Sequence, residues 1–320
     1  MRILISLIAL ITGLSAIVGQ DELPVVTSST ELKIQTPSGD LFGTFTGPRN
    51  VGMRPVVLIL PGSGPTDRDG NSILGIQTNA YKMLAESLAN NKIASMRIDK
   101  RGVARSKGAT KSEKDLRFDT YVEDAVAWIN SLKVDHGFNK IYVLGHSEGA
   151  LIGMLAAQRT KVSGFISLAG PGRPIDVVLR EQFGNMPQEL RTKANVIMDS
   201  LKAGKQYSDV DPGLMAYFRP SVQPYMISWI KYDPAKEISK LKVPVLILQG
   251  TTDIQVSSED ALMLSKGMPS ANLLFLENMN HILKNSEADM AKNLETYKNP
   301  ELPLNTQLVD VITRFINSRE

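Results

Sequence analysis

Cysteine is absent from all 320 residues, which removes both disulfides and a lipidated-cysteine anchor. A core of this size needs no covalent staple, so the lack is compatible with an oxidising compartment such as a periplasm. Histidine is nearly as scarce, with His136, His146 and His281 the whole supply. No zinc-type His/Cys cluster can be assembled from so few ligands in sequence. Neither a G-x-x-x-x-G-K phosphate loop nor a G-x-G-x-x-G dinucleotide fingerprint occurs, and there are no repeats. The formal net charge of +3 is small and evenly spread, which argues against nucleic acid or an anionic membrane as the partner. What remains is chemistry carried by side chains alone, without metal or cofactor.

Long apolar runs are also missing, except at the start. Arg2 precedes an apolar stretch from Ile3 to Leu14, followed by Ser15, Ala16, Gly19 and Gln20. That stretch is shorter than the roughly 20 residues needed to cross a bilayer. It predicts a cleaved signal peptide over residues 1–19, cut between Gly19 and Gln20, with an uncleaved anchor as the alternative. The mature chain would then be periplasmic or secreted, with no stable membrane span. With 42% hydrophobic and 22% charged residues, it has the composition of an ordinary globular domain.

Strand and helix patterns alternate along the rest. Glu31–Gln35 and Leu41–Thr46 read as an opening antiparallel hairpin around Pro37 and Gly39. Further strands are expected near Pro55–Leu60, Ile93–Ile98, Lys140–Leu144, Val162–Leu168, Val243–Leu248 and Asn272–Leu276. Helices are expected near Asn79–Asn90, Asp119–Leu132, Glu148–Arg159, Glu259–Lys266 and Thr306–Asn317. The rhythm implies an α/β fold, a mostly parallel doubly wound sheet. It breaks between residues 171 and 241, which read as a helical cap inserted into a core of residues 30–170 and 242–318. The aromatics of that segment, among them Phe183, Phe218, Tyr225 and Trp229, suit either packing onto the sheet or an apolar pocket.

The most informative stretch is Gly145-His146-Ser147-Glu148-Gly149, placed between a β-branched run and a small-residue helix. A serine on such a strand-to-helix turn projects its hydroxyl from the sheet edge, and the glycines let backbones pass closely. Such a nucleophile needs a general base. His146 is locked inside the turn, and His136 lies at the wrong end of the strand. That leaves His281, in the loop after Leu273–Leu276. Asp253, in the loop after Val243–Gly250, is positioned to orient the imidazole, whereas Glu259 and Asp260 read as solvated or first-turn charges of the next helix. The order Ser147, Asp253, His281 is that of α/β-hydrolases. Oxyanion donors are expected from the Glu148 amide and from the Ser63 amide in the loop Pro61–Pro65.

Beyond these residues the chain resembles the α/β-hydrolase superfamily, and within it a group of bacterial esterase-like hydrolases. The resemblance is carried by Gly62-Ser63-Gly64-Pro65-Thr66-Asp67-Arg68-Asp69-Gly70-Asn71, a G-S-G-P-x-D-R-D-G-N loop, together with the G-H-S-E-G elbow. Asp99-Lys100-Arg101-Gly102-Val103-Ala104-Arg105-Ser106 is similar to the superfamily's D-x-R-G-x-G-x-S turn, with Ala104 where glycine is usual. The resemblance covers residues 30–317 and implies hydrolysis of a small-molecule carboxylic ester. Thioesterases and aminopeptidases share the superfamily, and an inert binding protein on the same fold is the non-enzymatic alternative. Asp67, Arg68 and Asp69 suit an ion-pair network that fixes the loop, or an Arg68 that meets a substrate carboxylate.

Overall fold

A computed structural model describes residues 26–49 and 55–318. The expected signal peptide over 1–19 lies outside the described residues. The chain opens with β1 (Thr27–Thr36) and β2 (Gly39–Pro48), a hairpin in register from Thr27 opposite Pro48 to Thr36 opposite Gly39. Its turn is tighter than expected, only Pro37 and Ser38, because Gly39 takes φ +137°.

Six further strands follow: β3 (Val56–Leu60), β4 (Ala94–Ile98), β5 (Ile141–His146), β6 (Gly164–Leu168), β7 (Val245–Gly250) and β8 (Asn272–Leu276). They complete one eight-stranded sheet in the order β1-β2-β4-β3-β5-β6-β7-β8. Only the β1–β2 and β2–β4 pairings are antiparallel.

Alternating side chains divide the core into two layers. Val57 and Ile59 pack with Leu84 and Leu88 of α1 (Ala80–Asn90) and Ile312 of α11 (Leu308–Asn317). Val56, Leu58 and Leu60 pack with Trp128 of α2 (Phe118–Val134), Leu151 of α3 (Glu148–Arg159) and Leu264 of α9 (Ser258–Gly267). Each large apolar side chain buried in this way contributes about 1.5–3 kcal/mol.

Between β6 and β7 the chain forms α4 (Ile175–Gln182), α5 (Gln188–Lys202), α6 (Met215–Phe218), α7 (Gln223–Ile230) and α8 (Pro234–Ile238), with no strand among them. The aromatics of this segment are largely packing residues. Trp229 stacks on Phe118 of α2 at 5.5 Å, and Phe183 packs edge-on against Phe218 at 5.7 Å. A short α10 (Met290–Glu295) precedes α11.

β4 lies on one side of β3 and β5 on the other. The strand order therefore reverses between β3 and β5, and an open α/β sheet binds its ligands at such a point, beyond the C-terminal ends of the strands. The loops after both strands, carrying Ser63 and Ser147, meet at that point.

Candidate active site

Ser147 is the residue between β5 and α3, and its backbone is left-handed at φ +53°. A non-glycine residue in that region is strained, and the surroundings must hold it there. The Ser147 N–H donates to the Leu168 carbonyl at 3.0 Å, and its own carbonyl accepts from the Ala150 N–H at 2.9 Å. The flanking glycines are sterically required. A Cβ on Gly145 would stand 2.1 Å from the Gly149 carbonyl oxygen, and one on Gly149 would stand 2.4 Å from that of Leu60.

Gly62 lies directly over the elbow, where a Cβ would come within 3.2 Å of the Ser147 Cβ. The structure thus brings the Gly62–Ser63 loop against the Ser147–Glu148 elbow, so both expected amide donors belong to segments in contact. Among the described residues neither the Ser63 nor the Glu148 N–H has a hydrogen-bond partner. The start of α3 adds its dipole at the same place.

Asp253 and His281 are brought together from loops 28 residues apart, with His281 Nδ1 donating to Asp253 Oδ2 at 2.8 Å. The Asp253 side chain is 1% exposed. Gln249 Nε2 donates to the same oxygen at 3.1 Å, and the Gln255 and Val256 N–H groups donate to Oδ1 at 2.8 and 2.9 Å. Burial alone would raise the carboxyl pKa. The charge and hydrogen bond of His281, aided by these amides, more than offset it, so Asp253 is held below its ordinary value. No hydrogen bond joins Ser147 to His281 among the described residues. Such bonds commonly tighten only when substrate is bound.

His146 is not a base but a strut. Its Nε2 faces the His281 carbonyl oxygen at 2.8 Å, and its Nδ1 faces the Tyr81 hydroxyl at 2.7 Å. A carbonyl only accepts, so Nε2 carries the hydrogen and Nδ1 accepts from Tyr81. The Tyr81 oxygen in turn accepts from the Gly62 N–H at 3.2 Å. Burial, followed by the neighbouring His281, pushes the His146 pKa down to about 3, so the ring stays neutral. One chain of hydrogen bonds therefore ties the Gly62 loop, the elbow and the His281 loop together. His136 is exposed after α2, remote from all three.

A family model described as "Serine aminopeptidase, S33" matches residues 74–215, a stretch that contains the elbow and ends before Asp253. Esterase EstD of Thermotoga maritima is 30% identical over 278 residues, 83% of this chain and 64% of that protein. The chain thus spans slightly under two thirds of that esterase's length. The structure of Est1E from Butyrivibrio proteoclasticus superposes with a TM-score of 0.59 at 19% identity, over 90% of this chain and 98% of Est1E. Proline iminopeptidase from Mycobacterium smegmatis superposes with a TM-score of 0.57 at 16% identity, over 91% of this chain and 98% of that one. The fold is that of the α/β-hydrolases.

On this α/β-hydrolase frame the G-S-G-P-x-D-R-D-G-N loop is fixed by charge. Arg68 donates through Nε and Nη2 to Asp99 Oδ2 at 2.9 and 2.6 Å, and through Nη1 to Thr44 at 2.9 Å and Glu31 at 3.2 Å. Asp69 pairs with Arg97, and Asp67 Oδ1 accepts the Asp69 and Asn71 N–H groups. These bonds describe a structural network that engages four of the five N–H groups of Arg68.

Several residues around the site escaped the sequence reading in part or whole. Asp260 is the expected first-turn charge of α9, capping it with Ser257, but it is buried rather than solvated and accepts from Arg173 Nη2 at 2.8 Å and Nε at 3.0 Å. Gln249 carried one signal, a polar residue closing an otherwise apolar strand. Lys100 and Tyr81 carried none, since their partners lie 38 and 65 residues away.

Proposed function

We propose that the protein is a serine hydrolase of carboxylic esters working through a Ser147–His281–Asp253 triad. The observation that supports this reading is the buried Asp253–His281 pair, together with the strained turn at Ser147 and Ser63 and Glu148 amides that have no hydrogen-bond partner among the described residues. In the reaction His281 Nε2 takes the Ser147 proton as Oγ attacks the ester carbonyl, and Asp253 holds Nδ1–H and stabilises the imidazolium. The developing oxyanion accepts from the Ser63 and Glu148 N–H groups. The tetrahedral intermediate then collapses, the C–O bond breaks, and the alcohol departs with the proton from His281. Water attacks the acyl-Ser147 by the same route and releases the acid.

The 30% identity to an esterase supports an ester substrate. The family description and the iminopeptidase neighbour favour a second reading, cleavage of a peptide's first residue. That reading needs a carboxylate free to hold the substrate's ammonium group. Of the carboxylates brought to the site, Asp253 is engaged by His281 and Glu148 by Lys100, which supports the ester.

Residues 171–241 are read as a cap over this site, and residues 1–19 as an export signal that delivers the chain to the periplasm or beyond. A chromogenic ester panel from acetyl to long acyl groups, run beside Ser147→Ala, tests the reaction. Ser147-dependent hydrolysis is expected. Hydrolysis of aminoacyl anilides with no ester turnover would transfer the assignment to the peptide reading. Cell fractionation tests the export signal, and full-length protein in the cytosol would reject it.

A further inference from the structure

Lys100 is buried at the centre of the site and takes no part in the triad. It lies in the turn after β4, its side chain 5% exposed, and its Nζ donates to two acceptors. One is the Gly62 carbonyl oxygen at 2.6 Å, and the other is Glu148 Oε1 at 3.3 Å, on a side chain that is 3% exposed. The Tyr121 ring lies 5.4 Å from the same nitrogen. We infer that Lys100 is a positioning residue for the oxyanion hole, using one ammonium group to aim both amide donors.

The inference rests on the triad reading above and follows from peptide geometry. The Gly62 carbonyl and the Ser63 N–H belong to one planar trans peptide unit, so they point in opposite directions. A charge-assisted bond that fixes the carbonyl toward Lys100 fixes the Ser63 N–H away from it. The Gly62 N–H is held separately by Tyr81, so the loop cannot swivel about either end of this residue. Glu148 supplies the other donor through its backbone, and its side chain is tied to the same nitrogen. Two segments 85 residues apart in sequence (from Ser63 to Glu148) thereby share one anchor. Removing the ammonium leaves both amides in place but unaimed. Donors that stabilise charge only in the transition state affect kcat rather than KM.

The test compares Lys100→Met, Lys100→Arg and the double variant Lys100→Met/Glu148→Gln with the unmodified protein. The double variant keeps the question answerable if an unpaired Glu148 prevents Lys100→Met from folding. Folding is followed by thermal melting, turnover on the best ester of the panel, and binding by a trifluoromethyl ketone that forms a hemiketal oxyanion. In the folded methionine variants kcat should fall about 10²-fold, the range for loss of one oxyanion donor. KM should change less than threefold, and affinity for the ketone should fall with kcat. Lys100→Arg should recover part of kcat. Near-normal kcat in a folded methionine variant, or a loss confined to KM, overturns the inference, as does failure of both methionine variants to fold. Fluorophosphonate labelling separates the two readings. Labelling of Ser147 in the unmodified protein without ester turnover faults only the substrate class, and a labelling rate that drops about 10²-fold in the methionine variants still supports Lys100. An unmodified Ser147 that fails to label ends the triad reading and the inference with it.

Discussion

At Ser147 function and stability pull in opposite directions. Its φ of +53° costs a non-glycine residue about 1–3 kcal/mol, retained because the turn presents the hydroxyl. Replacing Ser147 with alanine should cut ester turnover at least about 10⁴-fold while circular dichroism and melting stay unchanged. Turnover within tenfold of the unmodified protein would remove Ser147 from the mechanism. Ser147→Gly should be equally inactive yet more stable to urea by about 1 kcal/mol, since glycine tolerates this angle. His146 offers a second check on single-residue physics. With only three histidines, imidazole resonances are readily assigned, and those of His146 should stay neutral and Nε2-protonated down to pH 4.5. Titration of that ring near pH 6 would contradict the buried Tyr81–His146–His281 chain.

Elements were legible in the sequence wherever local pattern decides them. The apolar runs rich in valine, isoleucine and leucine became β3, β5 and β7, and the small-residue run after Ser147 became α3, because periodicity and turn chemistry act within a few residues. Position in the sheet does not. Asn272–Leu276 forms the expected strand, but its apolar sequence does not say that β8 closes the sheet and exposes Leu274 and Phe275. The proposed triad could be named from the sequence because scarcity left one histidine as the candidate base and catalytic loops follow strand ends. The charges of Asp99, Lys100 and Arg101 carry no local sign of burial, but each is buried against a partner from another element, namely Arg68, Glu148 and Asp124. The same turn holds Ala104 at φ +44°, which explains why glycine is usual there. Ala104→Gly should therefore stabilise the protein against urea by about 0.5–1 kcal/mol with kcat unchanged. A destabilisation would show that the alanine methyl contributes packing that outweighs its backbone strain.

For the molecule as a whole, buried ionisable groups set a pH profile of stability with an uncommon alkaline feature. His146 is depressed to about 3, so the unfolded chain binds more protons between pH 3 and its ordinary value of 6.5. Stability is then lost as pH falls through that window. Lys284 is fully buried beside Met83 Sδ and the Leu302 carbonyl, just past the His281 loop, and burial lowers its pKa from 10.5 to about 8. Between those values the unfolded state again holds the extra proton, so stability rises with pH. Tyr81, Tyr121 and Tyr225 act oppositely, because burial raises their pKa values and their ionisation favours unfolding above pH 10. The two trends predict a maximum between pH 9 and 10 rather than near neutrality. Urea melts at pH 7.5, 8.5, 9.5 and 10.5 should show stability climbing to the third value and dropping at the fourth. In Lys284→Met the climb should vanish while the final drop remains, because among the described residues Lys284 is the lysine whose pKa burial lowers into that window. A climb that survives in Lys284→Met would assign it to some other group and leave Lys284 an ordinary ammonium, charged throughout.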